Sequence, residues 1–463
     1  MVHLSRAHHL QMTTLLATIL LRLVTRDNDS VLGPEPNGGE VWCGTENGVD
    51  GRAESLVSIP NTVPSDADVS LGHSIQLPIE VWEKVIDVLA DEWVDPFRRD
   101  KTYEARLRAL GRVCRGWHVR CRFRAWEKLD VDHMDKTEVY HLINALNQDP
   151  ERCHTMKTVS FYFGRMSIGL FGTFVVCTAQ KLPRVKRLIL GGCEWDTGQL
   201  HAQVFVHITL AFESVTVLEL DHVRFPSAVV FGRLVHALPR LSSLKCWSVF
   251  FERRGDVAGR IWELHPLRLD SAEVLDSDDV VDFLVSIGAQ LRHLSWRDES
   301  LEKCQELLPV TAESLSSIQI DITEYSFVRR FSPTDFLIDF TPAVNLRVLS
   351  ISSHFQDLDT VANRLSRVFL PKLVEVTIIS TFVHTEIFPS LNIQDELEEV
   401  RMDSYALLDQ AFSSRLYPAL KKVTFKLHCR TPRSKVMEVI SEESWRTHFA
   451  SNLPALHTSG RLV

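Results

Sequence analysis

LPRVKRLILGGCEW, residues 182–195, is the stretch on which the reading of the whole chain turns. Val185, Leu188 and Leu190 stand at the spacing apolar-x-x-apolar-x-apolar. The end of that pattern alternates. Leu188 and Leu190 therefore turn to one face of a short strand, and Arg187 and Ile189 to the other. Leu182-Pro183, just upstream, suits a corner where a helix stops, because proline cannot continue the helical hydrogen bonding.

The same spacing returns on both sides. It occurs at Met156/Val159/Phe161, Val215/Leu218/Leu220, Leu241/Leu244/Cys246, Leu264/Leu267/Leu269 and Leu291/Leu294/Trp296. It continues at Leu315/Ile318/Ile320, Leu346/Leu349/Ile351, Leu373/Val376/Ile378, Leu397/Val400/Met402 and Leu420/Val423/Phe425. Successive first members lie 23 to 31 residues apart. The intervening sequence holds helical patterns such as AVVFGRLVHAL (Ala228–Leu238) and DDVVDFLVSIGAQ (Asp278–Gln290). Leu238-Pro239, Leu370-Pro371 and Tyr417-Pro418 repeat the corner. A strand plus a helix at this period describes a solenoid, in which no unit can bury its apolar face except against its neighbours. The class expected is α/β, with short parallel strands and helices.

Upstream of the repeats the texture differs. LPIEVWEKVIDVL begins at Leu77-Pro78, and Pro78 fits a first helical turn, where its missing N–H has no partner to lose. Val81, Trp82, Val85, Ile86, Val88 and Leu89 then cover more than one helix face. A second pattern carries Leu107, Leu110, Val113, Cys114 and Trp117, with Gly116 expected to break it into two short helices. Three short helices bury their own apolar surface poorly, so this unit is expected to complete its interior with a partner.

These residues resemble a known pair of modules. Leu77-Pro78-Ile79-Glu80, followed by Ile86, Leu89, Leu107, Leu110 and Val113-Cys114-Arg115-Gly116-Trp117, resembles an F-box. The connection between its halves, Ala90 to Glu104, is longer than usual. The repeats resemble leucine-rich repeats of irregular form. The Asn that usually follows the strand is mostly missing, and Cys193 occupies its place in VKRLILGGCEW. The resemblance implies a three-helix F-box followed by an irregular leucine-rich-repeat solenoid. It implies the substrate-recognition subunit of a Skp/cullin/F-box ubiquitin ligase, with no catalysis of its own. The expected docking set on a Skp-type adaptor, and through it a cullin, is Leu77, Pro78, Ile86, Leu89, Leu107, Leu110, Val113, Cys114 and Trp117. The repeats would hold a protein substrate near the ubiquitin-carrying enzyme, which is catalysis by proximity. The alternatives are an F-box scaffold outside a ligase, or a nucleic-acid-binding module.

The remaining sequence bounds these expectations. The chain has 463 residues, 45% hydrophobic and 24% charged, with a formal net charge of −9. That balance argues against a generic nucleic-acid binder, although Arg106, Arg108, Arg112, Arg115, Arg120, Arg122 and Arg124 crowd the helical unit. Nine cysteines, none in a CxxC pair and most inside apolar runs, suit a reduced compartment, so cytoplasm or nucleus is expected. No nucleotide-binding, nucleophile-elbow or zinc-protease motif is present. Cys153-His154 reads as ordinary, and His201 and His207, or His8 and His9, lack further ligands at metal spacing. No cofactor, metal, nucleic-acid or membrane partner is expected. Leu10 to Val24 is apolar but interrupted by Arg22, too short to span a bilayer. Trp195, Trp296 and Tyr325 fall at or just after strands, where core and binding face are equally open. The expected organisation is an extension and linker over 1–74, the F-box over 75–130, a helical connector over 131–155, the solenoid over 156–430 and a C-terminal cap over 431–463.

Overall fold

The computed structural model describes residues 78–92, 102–164, 168–195, 203–253, 266–297, 301–322, 338–382, 397, 400, 402–429 and 440–463. The Leu10–Val24 run, the linker up to 74, Leu77, His201 and Tyr325 lie outside them. The chain divides into two compact units, 1–126 and 127–463.

The first unit holds three helices: α1 (Ile79–Glu92), α2 (Thr102–Gly111) and α3 (Arg115–Trp126). The carbonyl of Pro78 accepts from the Val81 and Trp82 N–H groups, 3.0 and 3.4 Å, so the proline opens α1 from just outside it. Val85, Ile86, Leu89, Ala90, Leu107, Leu110, Trp117 and Cys121 form one buried cluster. Trp82 packs on Trp117 with ring centroids 5.0 Å apart. The helix break falls at 112–114, and not at Gly116, which stands in the first turn of α3. Gly116 serves packing instead. A Cβ there would lie 3.2 Å from Ile79 Cδ1, so its bare backbone admits the Ile79 side chain.

The second unit is mixed α/β with a long parallel sheet, consistent with a leucine-rich-repeat-like pattern. In order it contains β1 (Lys128–Asp132), α4 (Lys136–Gln148), α5 (Pro150–Thr155), β2 (Thr158–Tyr162), α6 (Gly169–Thr178), β3 (Arg187–Glu194) and α7 (Val204–Ala211). There follow β4 (Val217–Ser227), α8 (Ala228–His236), β5 (Ser243–Trp247), β6 (Phe250–Arg253), β7 (Arg268–Leu275), α9 (Asp278–Ser286), β8 (Gln290–Trp296) and α10 (Leu301–Thr311). The rest comprises β9 (Ser317–Asp321), β10 (Val348–Ser353), α11 (Leu358–Leu365), β11 (Glu375–Phe382), α12 (Met402–Ser413), β12 (Lys422–Cys429), α13 (Glu442–Asn452) and α14 (Pro454–Thr458). The strands pair in the order β1-β2-β3-β4-β5-β7-β8-β9-β10-β11-β12, with β6 beside the end of β4.

Register puts the repeat's apolar residues in rows. Leu188 pairs with Val159 and Leu218, and Leu190 with Phe161 and Leu220, and all are fully buried. Burying each such side chain is worth about 1.5–3 kcal/mol. Aromatic rings fill the interior of the first repeats. Phe161 meets Phe171 and Phe174 edge-on at 5.1 Å, Trp195 stacks on Phe225 at 5.0 Å, and Phe231 meets Phe283 edge-on at 5.0 Å. Within the second half of β3, Gly192 takes a left-handed backbone, φ 62°, and the next residue, Cys193, turns inward. That is the place the repeat usually gives to Asn.

Three sequence expectations on the repeats need correction. The strand near residue 270 uses Leu269/Ala272/Val274: Leu269 pairs with Leu291, Ala272 with Leu244 and Leu294, and Val274 with Cys246 and Trp296, while Leu267 precedes the strand and Leu264 lies outside the described residues. Ala272 is small, so the leucine-rich match upstream outscored the true alternation. Of the expected strand Leu397/Val400/Met402, none of the three named residues stands on a strand. Met402 opens α12 and is 66% exposed, and β11 pairs directly with β12, Val376 on Val423 and Ile378 on Phe425. Spacing i, i+3 is shared by the repeat and by a helix, and Tyr405, Leu408 and Phe412 continue it as a helix. Finally, Lys128–Asp132 pairs with β2, so the solenoid unit begins at Glu127, and the stretch 131–155 holds the end of its first strand with α4 and α5.

The C-terminal segment closes the last repeat. Asp409 of α12 accepts from the Ala455 and Leu456 N–H groups at the start of α14, both 2.9 Å. The final residues then lie along β12: Val423 N–H donates to Arg461 O at 2.8 Å, and Val463 N–H to Val423 O at 3.0 Å. An open core and an open strand edge are covered together. Among the described residues no helix is long and apolar enough to cross a membrane.

Candidate functional site

The residues expected to dock on an adaptor separate into two groups. Ile86, Leu89, Leu107, Leu110 and Trp117 are buried against one another inside the three-helix unit. Pro78, Val113 and Cys114 are exposed, and Leu77 lies outside the described residues. Three apolar residues that the expected set lacked join the exposed group: Ile79 (49% exposed), Val81 (39%) and Val119 (68%). Val113 is 53% exposed.

Local structure explains why these residues are uncovered. Pro78, Ile79 and Val81 occupy the start of α1, before the helix enters the shared interior at Val85. Val113 and Cys114 lie in the turn between α2 and α3, and the Cys114 carbonyl accepts from His118 N–H at 3.0 Å to begin α3. Val119 stands one helical turn beyond Gly116. Since Ile79 reaches over Gly116 and Trp82 packs on Trp117, the start of α1 lies beside the start of α3. The two halves of the motif thus meet in space. A spacing of three from Gly116 was the available signal for Val119.

Ionic contacts brace the helices behind this face. Arg120 Nε donates to Asp87 Oδ1 at 2.9 Å, its Nη2 donates to Oδ2, and Arg124 Nε lies 3.7 Å from Asp87 Oδ1. Arg122 stands over the Trp126 ring at 4.3 Å. Three of the arginines crowded in this segment are thus engaged within the unit itself.

A second surface is the outer face of the sheet. Arg187, Glu219, Lys245 and Glu273 on β3, β4, β5 and β7, with Arg297 just past the end of β8, form a ladder of alternating charge. Buried Glu219 lies 3.6 Å from Arg187 and 3.5 Å from Lys245. Lys245 lies 3.4 Å from Glu273, and Glu273 3.2 Å from Arg297. Trp247, on the same face, has the Lys245 ammonium 5.9 Å from its ring centre. Trp195 and Trp296 are core residues.

Chemically capable groups elsewhere are placed as packing. Cys153 is buried and donates from Sγ to Leu146 O at 3.4 Å, while His154 is exposed. Burial pushes the Cys121 thiol up to about 11, and Cys193 and Cys304 to about 12. Among the described residues no group of three or more His, Cys, Asp and Glu could hold a metal ion.

No protein-family model and no curated protein matches the chain. Among solved structures it is similar to the leucine-rich repeat-containing protein LegL7 from Legionella pneumophila, at 10% identity and a TM-score of 0.35, over 72% of this chain and 98% of that one.

Proposed function

We propose that the protein is a non-catalytic recognition subunit: the three-helix unit docks on a Skp-type adaptor, and the repeat unit holds a protein substrate for ubiquitination by the cullin complex so assembled. The observation that carries this reading is the juxtaposition of the two motif halves, Pro78-Ile79-Glu80 and Val113-Cys114-Arg115-Gly116-Trp117, with Ile79, Val81, Val113 and Val119 left uncovered around them. Such a patch on a small unit is costly in water unless a partner covers it. The docking set proposed is therefore Pro78, Ile79, Val81, Val113, Cys114 and Val119. Ile86, Leu89, Leu107, Leu110 and Trp117 hold the helices that present it. A cytoplasmic or nuclear location goes with this role.

The test is capture of a Skp-type adaptor by the tagged full-length protein. Ile79→Glu with Val119→Glu is expected to reduce capture at least about tenfold while hydrogen-exchange protection of α1 and α3 persists. Full capture by that variant would remove the docking assignment. Recovery of adaptor without cullin would replace the ligase by a scaffold outside it.

A further inference from the structure

The edge of the sheet where the strands begin carries an unusual charge. Two rows of residues flank the first core position of each repeat there. The later row is tied together by backbone hydrogen bonds from each N–H to the carbonyl on the preceding strand. Lys186 donates to Lys157 (2.8 Å), Thr216 to Lys186 (2.9 Å), Arg347 to Ser316 (2.8 Å) and Lys421 to Val374 (2.9 Å). The earlier row stands two residues upstream and includes Arg184, Arg240 and Arg268.

Arg184, Lys186, Arg240, Arg268, Arg347 and Lys421 are exposed in these rows, and none has a side-chain hydrogen bond or ion pair with the described residues. The carboxylates in the rows are Glu127 and Asp270, among the described residues. Each already faces a base, Glu127 with Lys157 and Asp270 with Arg292 at 3.4 Å. The chain as a whole has a net charge of −9, so this basic edge runs against the overall balance. Basic residues near helix C-termini offset the helix dipole, but that effect corresponds to about half a charge per helix. Two rows of cations exceed it.

We propose that this edge is the docking surface for an acidic, extended segment of another polypeptide. With strands about 4.8 Å apart, the cations from β3 to β12 span about 40 Å, the reach of about twelve extended residues. A polypeptide fits better than a nucleic acid for two reasons. The rows contain no aromatic side chain on which a base could stack, among the described residues. A net-negative chain also repels a polyanion as dense as nucleic acid more than a short acidic peptide. The surface belongs wholly to the 127–463 unit and does not depend on the adaptor-docking reading.

The experiment measures fluorescence anisotropy of a labelled peptide of about twelve alternating Glu and Gly residues with the full-length protein. A single-stranded oligonucleotide of equal charge runs in parallel. Binding of the peptide is expected to weaken with salt and to fall at least about tenfold in Arg240→Glu/Arg268→Glu/Arg347→Glu/Lys421→Glu. A control reversing Lys136, Arg233 and Arg446 on helix surfaces is expected to keep binding within about twofold. If the fourfold reversal loses helical circular dichroism, the same four positions as Gln replace it. No peptide binding, or equal loss in the control, overturns the proposal. So does tighter binding of the oligonucleotide, which would hand the edge to nucleic acid.

Discussion

The ring of Tyr162 lies against Gly191, its partner on the neighbouring strand: a Cβ on Gly191 would stand 2.4 Å from two of the ring carbons. Tyr162 covers the sheet's outer face because the opposite position is bare. Gly191→Ala is expected to push the ring away and destabilise the protein by about 1–3 kcal/mol, as overpacking does. In a Tyr162→Ala background the same change should cost close to nothing. A double-mutant cycle by urea unfolding measures the difference, and equal costs in both backgrounds would show that the ring is not what Gly191 accommodates.

Lys245 is the hinge of the charge ladder, since it alone separates the carboxylates of Glu219 and Glu273. Removing one partner of a buried ion pair leaves an uncompensated charge, which costs about 3 kcal/mol or more when burial is complete. Lys245 is partly exposed, so Lys245→Met is expected to cost about 2 kcal/mol. Adding Glu219→Gln should restore most of it. Denaturant midpoints of the single and double variants decide, and a double variant no more stable than the single would mean the ladder does not act as a unit.

The thiols of Cys193 and Cys304, pushed from the ordinary 9.0 to about 12 by burial, stay protonated in the fold. Their folded values exceed the unfolded ones, so the stability they contribute is present below pH 9 and is lost as pH rises from there toward 12. At neutral pH, iodoacetamide with mass spectrometry should label exposed Cys114 long before Cys193 or Cys304. Early labelling of the buried pair would mean that the solenoid opens locally.

His448 joins the C-terminal cap to the last helix of the array. Its Nε2 lies 3.1 Å from the Tyr405 hydroxyl and 3.2 Å from Asn452 Nδ2, and burial lowers its pKa below 6.5. A base whose pKa is depressed on folding contributes stability above its unfolded value and loses it as pH falls through the folded one. Hydrogen exchange in α13 should therefore accelerate, relative to α9, as pH drops from 7 to about 5. His448→Gln should abolish that difference. Persistence of the difference in the variant would place the acid sensitivity elsewhere.

Much of the architecture could be read from residue order alone. Val185, Leu188 and Leu190, repeated at a steady period, dictate a strand facing a helix layer, because alternation and helical spacing act within a few residues. The three helices at the front were equally legible from Trp82, Ile86, Leu107 and Trp117. Register was not. The use of Ala272 in place of Leu267, and the direct pairing of β11 with β12, depend on which neighbour each strand finds, and apolar spacing of three serves strand and helix alike.

The exposed face of the three-helix unit shows the same division. Sequence alone identified the greasy helices, because a short segment with apolar residues on every side must bury or bind. Tertiary packing decided which of them are used up: Ile86 and Trp117 turn into the shared interior, while Ile79, Val113 and Val119 remain outside it. It also gathered Arg184, Arg240 and Arg347 onto one edge. Residues so distant along the chain come to share one edge only when parallel strands stack in register, and charge acts through space rather than along the backbone.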